Sequence, residues 1–455
     1  MKVKNLFFVI LVLLTYRPLF AQQNKGDTSC RYRNLMEDNW LRLRNQARQT
    51  KRFIDMPAYD QGKTGLCYAY SSVQLVDYWR QSRGFMPDER IAYSSPIYMA
   101  MGYKIAWKQS SSLNIGFMLY AINAMKKYGL CPREVVNQDV KEFLGKEIGG
   151  FRPTGTGTGA ITGEDIAFIQ LTQGFLIQPS ETRGGDEIFY AIDPKRVSFK
   201  DYLEWAKSPQ QISFIKNLDE KILRKIYDAF MPYFVREDYV GFIKDVLKSC
   251  QEKKNQIKYL DQMPRPRIFE GQTFEQAISS GMVKDEDDYF RNRKNHFRDM
   301  IRTLLNRKNA PAIGFNYCGN VLKNPGALMI DKTGKPLANC GVHISVLVGK
   351  RESNGKCQYL LKNTWNDPAV CKKQNGCIYR EAFDPNTKAT YQEEMGAWVN
   401  EEDILNNIYG LTYIYPSTKE EKEIEEHWRR IEEKYIQSQE VFLKSLEKTR
   451  KEKGP

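Results

Sequence analysis

An unpaired cysteine thiol is the first group in this 455-residue sequence that can do covalent chemistry. Nine cysteines cannot all pair. In an oxidising compartment the leftover thiol is either buried and inert or kept free for reaction. A thiol with a pKa of about 8.5 is mostly protonated at neutral pH, and a helix N-terminus with a neighbouring imidazolium stabilises its thiolate. Cys67 meets the first condition. Gly62 and Gly65 mark a loop, and Ala69, Val73 and Val76 then recur at helical spacing with Trp79 near the same stripe, which predicts a helix with Cys67 in its first turn. Three histidines are available: His296, His343 and His427. His343 opens the apolar stretch HISVLVG, which predicts a strand rigid enough to aim an imidazole, whereas His296 in RNRKNHFRDM and His427 among Glu425 and Glu426 read as surface residues. Asn363, one predicted strand later, is the group suited to orient that imidazole. No two histidines share a zinc-binding helical spacing, so histidine-based metal chemistry is unexpected, and neither a metal nor a cofactor is predicted.

These groups need rigid elements beneath them. Residues 56–80 read as a turn-rich loop running into the helix that carries Cys67, and 116–132 as a second helix stopped by Gly129 and Pro132. The glycine-rich stretch 149–163 breaks all periodicity; without a following Gly-Lys-Ser/Thr it is a loop and not a phosphate cradle. Amphipathic pieces punctuated by prolines fill 164–290, where the acidic run at 285–288 lacks the glycine and distal glutamate of a calcium loop and reads as a helix start. From Ala310 the pattern turns to strands: APAIGFNY, VHISVLVGK, CQYLLKNTW and later GLTYIYP. Beyond 416, Ser417 with Glu420 forms a capping box ahead of a helical stripe of Ile424, Trp428, Ile431, Tyr435 and Phe442.

Composition narrows the classes. Aromatic residues make up 12% of the chain, enough with its apolar periodicity to repay ordering entropy, so disorder throughout is excluded. The net charge is +14, yet no compact run of Lys and Arg interleaved with aromatics marks a nucleic-acid groove. The start MKVKNLFFVILVLLTYRPLFAQQ has two lysines, a short apolar run and a segment ending at Ala21, which reads as a secretory signal peptide over 1–21. No later segment has the ~20 apolar residues of a membrane helix, so a secreted or periplasmic protein without a membrane span is expected.

QGKTGLCYAYS resembles the active-site segment of the papain-like cysteine peptidases, VHISVLVG their histidine segment, and YLLKNTWN their Lys-Asn-Ser-Trp-Gly segment, all in the family's chain order. Weaker similarities are SSPIYM, NIGFMLYAINAMKKYG, MIRTLLNRKNAPAIGF and GAWVNEED, so that the resemblance spans roughly 50–135 and 290–415. It implies an α+β, papain-like two-lobed fold, with a helical lobe and an antiparallel β-barrel-like lobe, that hydrolyses peptide or protein substrates. Cys67 would be the nucleophile, His343 the base, and Asn363 the group holding the imidazole, with Trp365 packed over that hydrogen bond. Gln61 and the Cys67 backbone N–H would stabilise the oxyanion. Gly65 and Gly116 would let the backbone approach substrate.

The sequence departs from the family at Tyr68, where Trp is common, and at Asn366, where Gly usually follows the Trp. His343 also lies 276 residues after Cys67, against about 130–150 in papain-like enzymes. The surplus matches an insertion. The implied organisation is a signal peptide (1–21), a lead-in (22–55), a helical lobe (56–135), a mostly helical insertion (136–290), a strand-rich lobe (291–416) and a charged amphipathic C-terminal helix (417–455). A protein partner is expected on the insertion or the C-terminal helix. The lead-in is too short for the family's long inhibitory propeptide, so latency would come from the insertion, the tail or a separate inhibitor. With Cys67 set aside, eight cysteines allow four bridges, at least one of them expected among Cys340, Cys357, Cys371 and Cys377 in preference to a zinc site. Endopeptidase and exopeptidase both remain open. So do a non-catalytic binding protein on the same fold and a thiol acyl-transferase or cell-wall peptide hydrolase. A bleomycin-hydrolase-like aminopeptidase has a comparable insertion but is cytosolic, which the export signal disfavours.

Overall fold

The computed structural model describes residues 29–35, 59, 61, 65–83, 93–107, 113, 116–148, 198–207, 218–236, 238–270, 273–307, 310–364, 368–384 and 389–415. The expected signal peptide, the glycine-rich stretch 149–163, Trp365 and the tail 417–455 lie outside these residues. In chain order the described helices are α1 (Cys67–Ser82), α2 (Pro96–Trp107), α3 (Met118–Tyr128), α4 (Arg133–Ile148), α5 (Phe199–Lys207), α6 (Glu220–Val235), α7 (Tyr239–Asp245), α8 (Phe274–Ser279), α9 (Glu286–Leu305), α10 (Pro368–Lys373) and α11 (Glu401–Leu405). The strands are β1 (Arg33–Asn34), β2 (Arg267–Phe269), β3 (Ile313–Cys318), β4 (Val342–Ser353), β5 (Lys356–Lys362), β6 (Cys377–Asp384), β7 (Ala389–Asn400) and β8 (Ile408–Tyr413). The class is α+β: most of the described helices precede β3, and the described strands pair antiparallel in one sheet.

Local chemistry sets several boundaries. Gly129, at a φ of 78°, ends α3 in a conformation that costs glycine nothing. Asp285 caps α9 by accepting a hydrogen bond from the Asp288 N–H at 2.8 Å, and acidic residues fill that helix's first turn, so the DEDD run is the expected helix start. Strands β4 and β5 are joined by Asn354-Gly355, both with positive φ, the pair that a two-residue hairpin loop demands.

The sheet follows the order β2-β8-β3-β4-β5-β7-β6, with β1 paired to the outer part of β4. Helix α1 packs on α2, α3 and β4, and it is buried on almost every side instead of along the single stripe that its sequence suggests. Two contacts enforce this. A Cβ on Gly314 of β3 would lie 2.2 Å from the Met118 sulfur and 3.1 Å from Leu75, so only glycine lets the strand approach α1 and α3 this closely. Buried Asp77 holds α1 to the next segment by accepting from Ser94 Oγ at 2.6 Å and from the Ser94 N–H at 2.8 Å, and it pairs with Arg80 of the same helix at 2.8 Å.

Four disulfides join Cys30–Cys357, Cys131–Cys250, Cys318–Cys340 and Cys371–Cys377. The Cys371–Cys377 bridge falls inside the expected cluster, and it occupies both sulfurs that lie near Glu394. Cys131–Cys250 fastens the end of the α3 region to the 3-10 turns at 248–251, where the Ile257 N–H also donates to Leu130 O and the Ser249 N–H to Asp139. The segment 136–290 is therefore stitched into its surroundings at both ends: α4 runs through position 136, and β2 pairs with β8 as a member of the sheet.

Candidate active site

The β4–β5 hairpin brings His343 and Asn363 together. It pairs Val346 with Lys362, which sets Asn363 just past the end of β5, level with the start of β4. His343 Nε2 then lies 2.8 Å from Asn363 Oδ1. That oxygen also accepts from Ser345 Oγ at 3.2 Å and from the Thr364 backbone N–H at 2.9 Å. A backbone N–H only donates, so the atom facing His343 is the carbonyl oxygen, and His343 must carry its proton on Nε2. Nδ1 is left as the basic nitrogen. Behind the pair, Ser345 Oγ lies 3.0 Å from the Tyr317 hydroxyl, and the Tyr317 ring sits 5.6 Å from the imidazole centroid. Tyr317, His343 and Ser345 share one face because directly opposed and alternate residues in antiparallel strands do so.

Cys67 begins α1 and is the free cysteine. Cys67 is half-buried as a residue; the backbone N–H groups of Ile344, Tyr68 and Cys67 itself lower the thiol pKa, while desolvation dominates and pushes it up to about 11. Burial acts on His343 in the opposite direction and lowers its pKa to about 4, with the Asn363 hydrogen bond opposing. Both effects have one cause, since burial disfavours whichever form is charged. Burial thus favours the neutral thiol and the neutral imidazole, against the thiolate that a helix N-terminus alone would favour. Adjacency comes from the strand: Ile344, whose N–H meets the sulfur, is the residue after His343, and its carbonyl accepts from Ser71 Oγ at 3.0 Å one turn along α1.

Gln61 is buried and tied to the far side of the site twice. Its backbone N–H donates to Thr364 O at 2.9 Å, and its side-chain Oε1 accepts from the Thr364 hydroxyl. With Oε1 accepting, the amide NH₂ is the donor end of this side chain. Gly65 is half-buried in the loop before α1. Gly116 has a packing reason of its own: a Cβ there would stand 2.5 Å from the Tyr68 ring, whose hydroxyl donates to Leu113 O at 3.0 Å.

The structure thus joins His343 to Asn363 directly, Gln61 to the residue after Asn363, and Cys67 to the residue after His343, while Gly116 lies against Tyr68. Sequence reasoning missed Thr364, Ser345 and Tyr317. Ser345 had a signal, being two residues from His343 on a strand; Tyr317 had none, because only strand pairing places it there.

No family model matches this chain, and no curated protein matches it. Among solved structures it is similar to digestive procathepsin L 3 of the Tenebrio molitor larval midgut, at 10% identity and a TM-score of 0.28, over 76% of this chain and 66% of that one. It is also similar to xylellain, a cysteine protease from Xylella fastidiosa, at 12% identity and a TM-score of 0.31, over 84% of this chain and 97% of that one. The chain spans just under two thirds of the first of these.

Proposed function

We propose that this chain is an exported cysteine peptidase of the papain-like type, hydrolysing peptide bonds through Cys67, His343, Asn363 and Gln61. One observation carries the reading: the unbridged thiol starts a buried helix against Ile344, while the neighbouring His343 is fixed by Asn363 in the tautomer that leaves Nδ1 basic. Four disulfides and the charged-then-apolar N-terminus support export.

In this mechanism Sγ attacks the scissile carbonyl carbon as the thiol proton passes to His343 Nδ1. The site then stores no separated charge before substrate arrives, in keeping with the upward-shifted thiol and the downward-shifted imidazole. The oxyanion takes hydrogen bonds from the Gln61 amide and the Cys67 N–H, each such donor being worth about 2.7–4 kcal/mol in the transition state. The C–N bond breaks as the imidazolium returns its proton to the departing amine. Water, deprotonated by His343, then releases the acid and restores the thiol. The segments 136–290 and 417–455 are the places for a protein partner or for control of latency.

An epoxide or vinyl-sulfone thiol probe tests the assignment. Wild-type protein should be labelled at Cys67, and Cys67→Ala should take up no label and cleave no peptide; undiminished labelling of the variant would sink it.

A further inference from the structure

The end of α3 and the turns at 252–265 form one basic surface. Side chains and single backbone bonds hold these turns in place. Asn255 Nδ2 donates to Ser249 O at 2.9 Å, Gln256 Nε2 to Cys250 O at 3.1 Å, and the Ile257 N–H to Leu130 O at 2.8 Å. Lys126 of α3 donates to Met263 O. Six exposed cations are thereby gathered, Lys126, Lys127, Lys253, Lys254, Lys258 and Arg265, against two exposed carboxylates, Glu252 and Asp261. Glu252 lies 2.8 Å from Lys254, so the surplus of positive charge sits on the others. In the same stretch Tyr259 and Ile268 are each 42% exposed.

The chain leaves the sheet beside this surface. Strands β2 and β8 pair as far as Arg267 opposite Tyr413, and Tyr415, whose hydroxyl lies 3.1 Å from that of Tyr413, is the last described residue. Antiparallel neighbours run in opposite directions, so Tyr415 stands level with Arg265 and the chain beyond it heads toward Met263, where Lys126 is bonded. The run EEKEIEE at 420–426 follows, five glutamates with one lysine. From Tyr415 to Glu420 the chain reaches at most about 18 Å.

We propose that this basic surface is the dock for the chain's own segment 420–426, the glutamates pairing with the six cations. The apolar stripe that begins at Ile424 and Trp428 then covers Tyr259 and Ile268. Each exposed ion pair is worth little alone, but a short tether gives the acidic run an effective concentration of about millimolar at this surface, which favours it over a separate acidic partner. The two segments assigned above to a partner therefore occupy each other. The outer edge of β2, which pairs only with β8 among the described residues, is covered by the same contact. This docking is independent of the peptidase reading.

Zero-length carbodiimide crosslinking of the full chain at low salt, read by peptide mass spectrometry on the monomer band, tests it. Glutamates of 420–426 should link to Lys126, Lys127, Lys253, Lys254 or Lys258, and the yield should fall about fivefold or more in 1 M salt. Replacing Glu420→Lys, Glu421→Lys and Glu423→Lys together should cut the links from Glu425 and Glu426 by about tenfold. Adding Lys253→Glu, Lys254→Glu and Lys258→Glu to that variant should restore links between the same positions with the charges exchanged. All of these residues are at the surface or outside the described body, and melting temperatures near wild type certify the variants. Links from 420–426 only to other parts of the body, links only in a dimer band, no links at all, or no rescue by the charge exchange would each overturn the proposal.

Discussion

The two halves of this molecule hold their share of the site by different means. The strand half fixes His343 with directed bonds: a hairpin register, an Asn363 oxygen accepting from three donors, and three disulfides, two of which close short loops of 22 and 6 residues. The helical half fixes Cys67 by burial. Tyr68, Tyr70, Val73 and Val76 of α1 are essentially inaccessible, and the one bridge among the described cysteines there, Cys131–Cys250, closes a separation of 119 residues. The difference follows from what each group needs. An imidazole must have its tautomer and ring plane set, which only hydrogen bonds can do, whereas a thiol needs placement, which a packed helix supplies.

Several measurements would break or sharpen this contrast. The largest effect concerns the bridges. In the chain-entropy account, removing Cys131–Cys250 as a double serine variant should cost about 5 kcal/mol, and removing Cys371–Cys377 about 2 kcal/mol. Urea unfolding would read both. Equal losses would mean that the helical half does not depend on its long bridge.

The second concerns the seam between the halves, where Gln61 meets Thr364. Gln61→Ala should lower kcat about 10²–10³-fold. Thr364→Val, which keeps the backbone bond and removes the hydroxyl, should lower kcat by about tenfold with KM little changed. Steady-state kinetics would separate the two, and a Thr364→Val loss confined to KM would assign the hydroxyl to substrate binding instead.

The smallest is a pH profile. The productive pair holds one proton, a thiol and a neutral imidazole. As pH falls through about 4, His343 gains a second proton and no longer serves as base, so activity declines; as pH rises through about 11, the last proton leaves and the leaving amine has no acid. kcat/KM should be flat between these limits. Ser345→Ala should lower the plateau by about tenfold, because Asn363 Oδ1 loses one of its three donors. An acid limb near the ordinary histidine pKa of about 6.5 would show that burial does not govern His343 in solution.

Much of this was legible before any coordinates. The start of α1 at Cys67 followed from a glycine-marked loop and apolar spacing, the DEDD helix start from capping preferences, and the strand that carries His343 and the one that leads to Asn363 from their β-branched and aromatic alternation. Asn354-Gly355 was equally readable as a hairpin, and it explains why two residues 20 apart touch. Each of these signals is local, so a few neighbouring residues suffice to encode it.

What the sequence by itself determined is therefore the set of reactive groups and the elements beneath them, together with the odd cysteine count that forces a free thiol. The tertiary structure decided the rest. It chose one pairing of eight cysteines, linked Gln61 to Thr364, and brought Ser345 and Tyr317 behind Asn363. It also reversed the simplest expectation for the Cys67 thiol. A helix N-terminus lowers a thiol pKa, but a helix packed on almost every side removes the water that a thiolate needs, and burial wins. Burial is a property of the whole packed molecule, and no short stretch of sequence carries it.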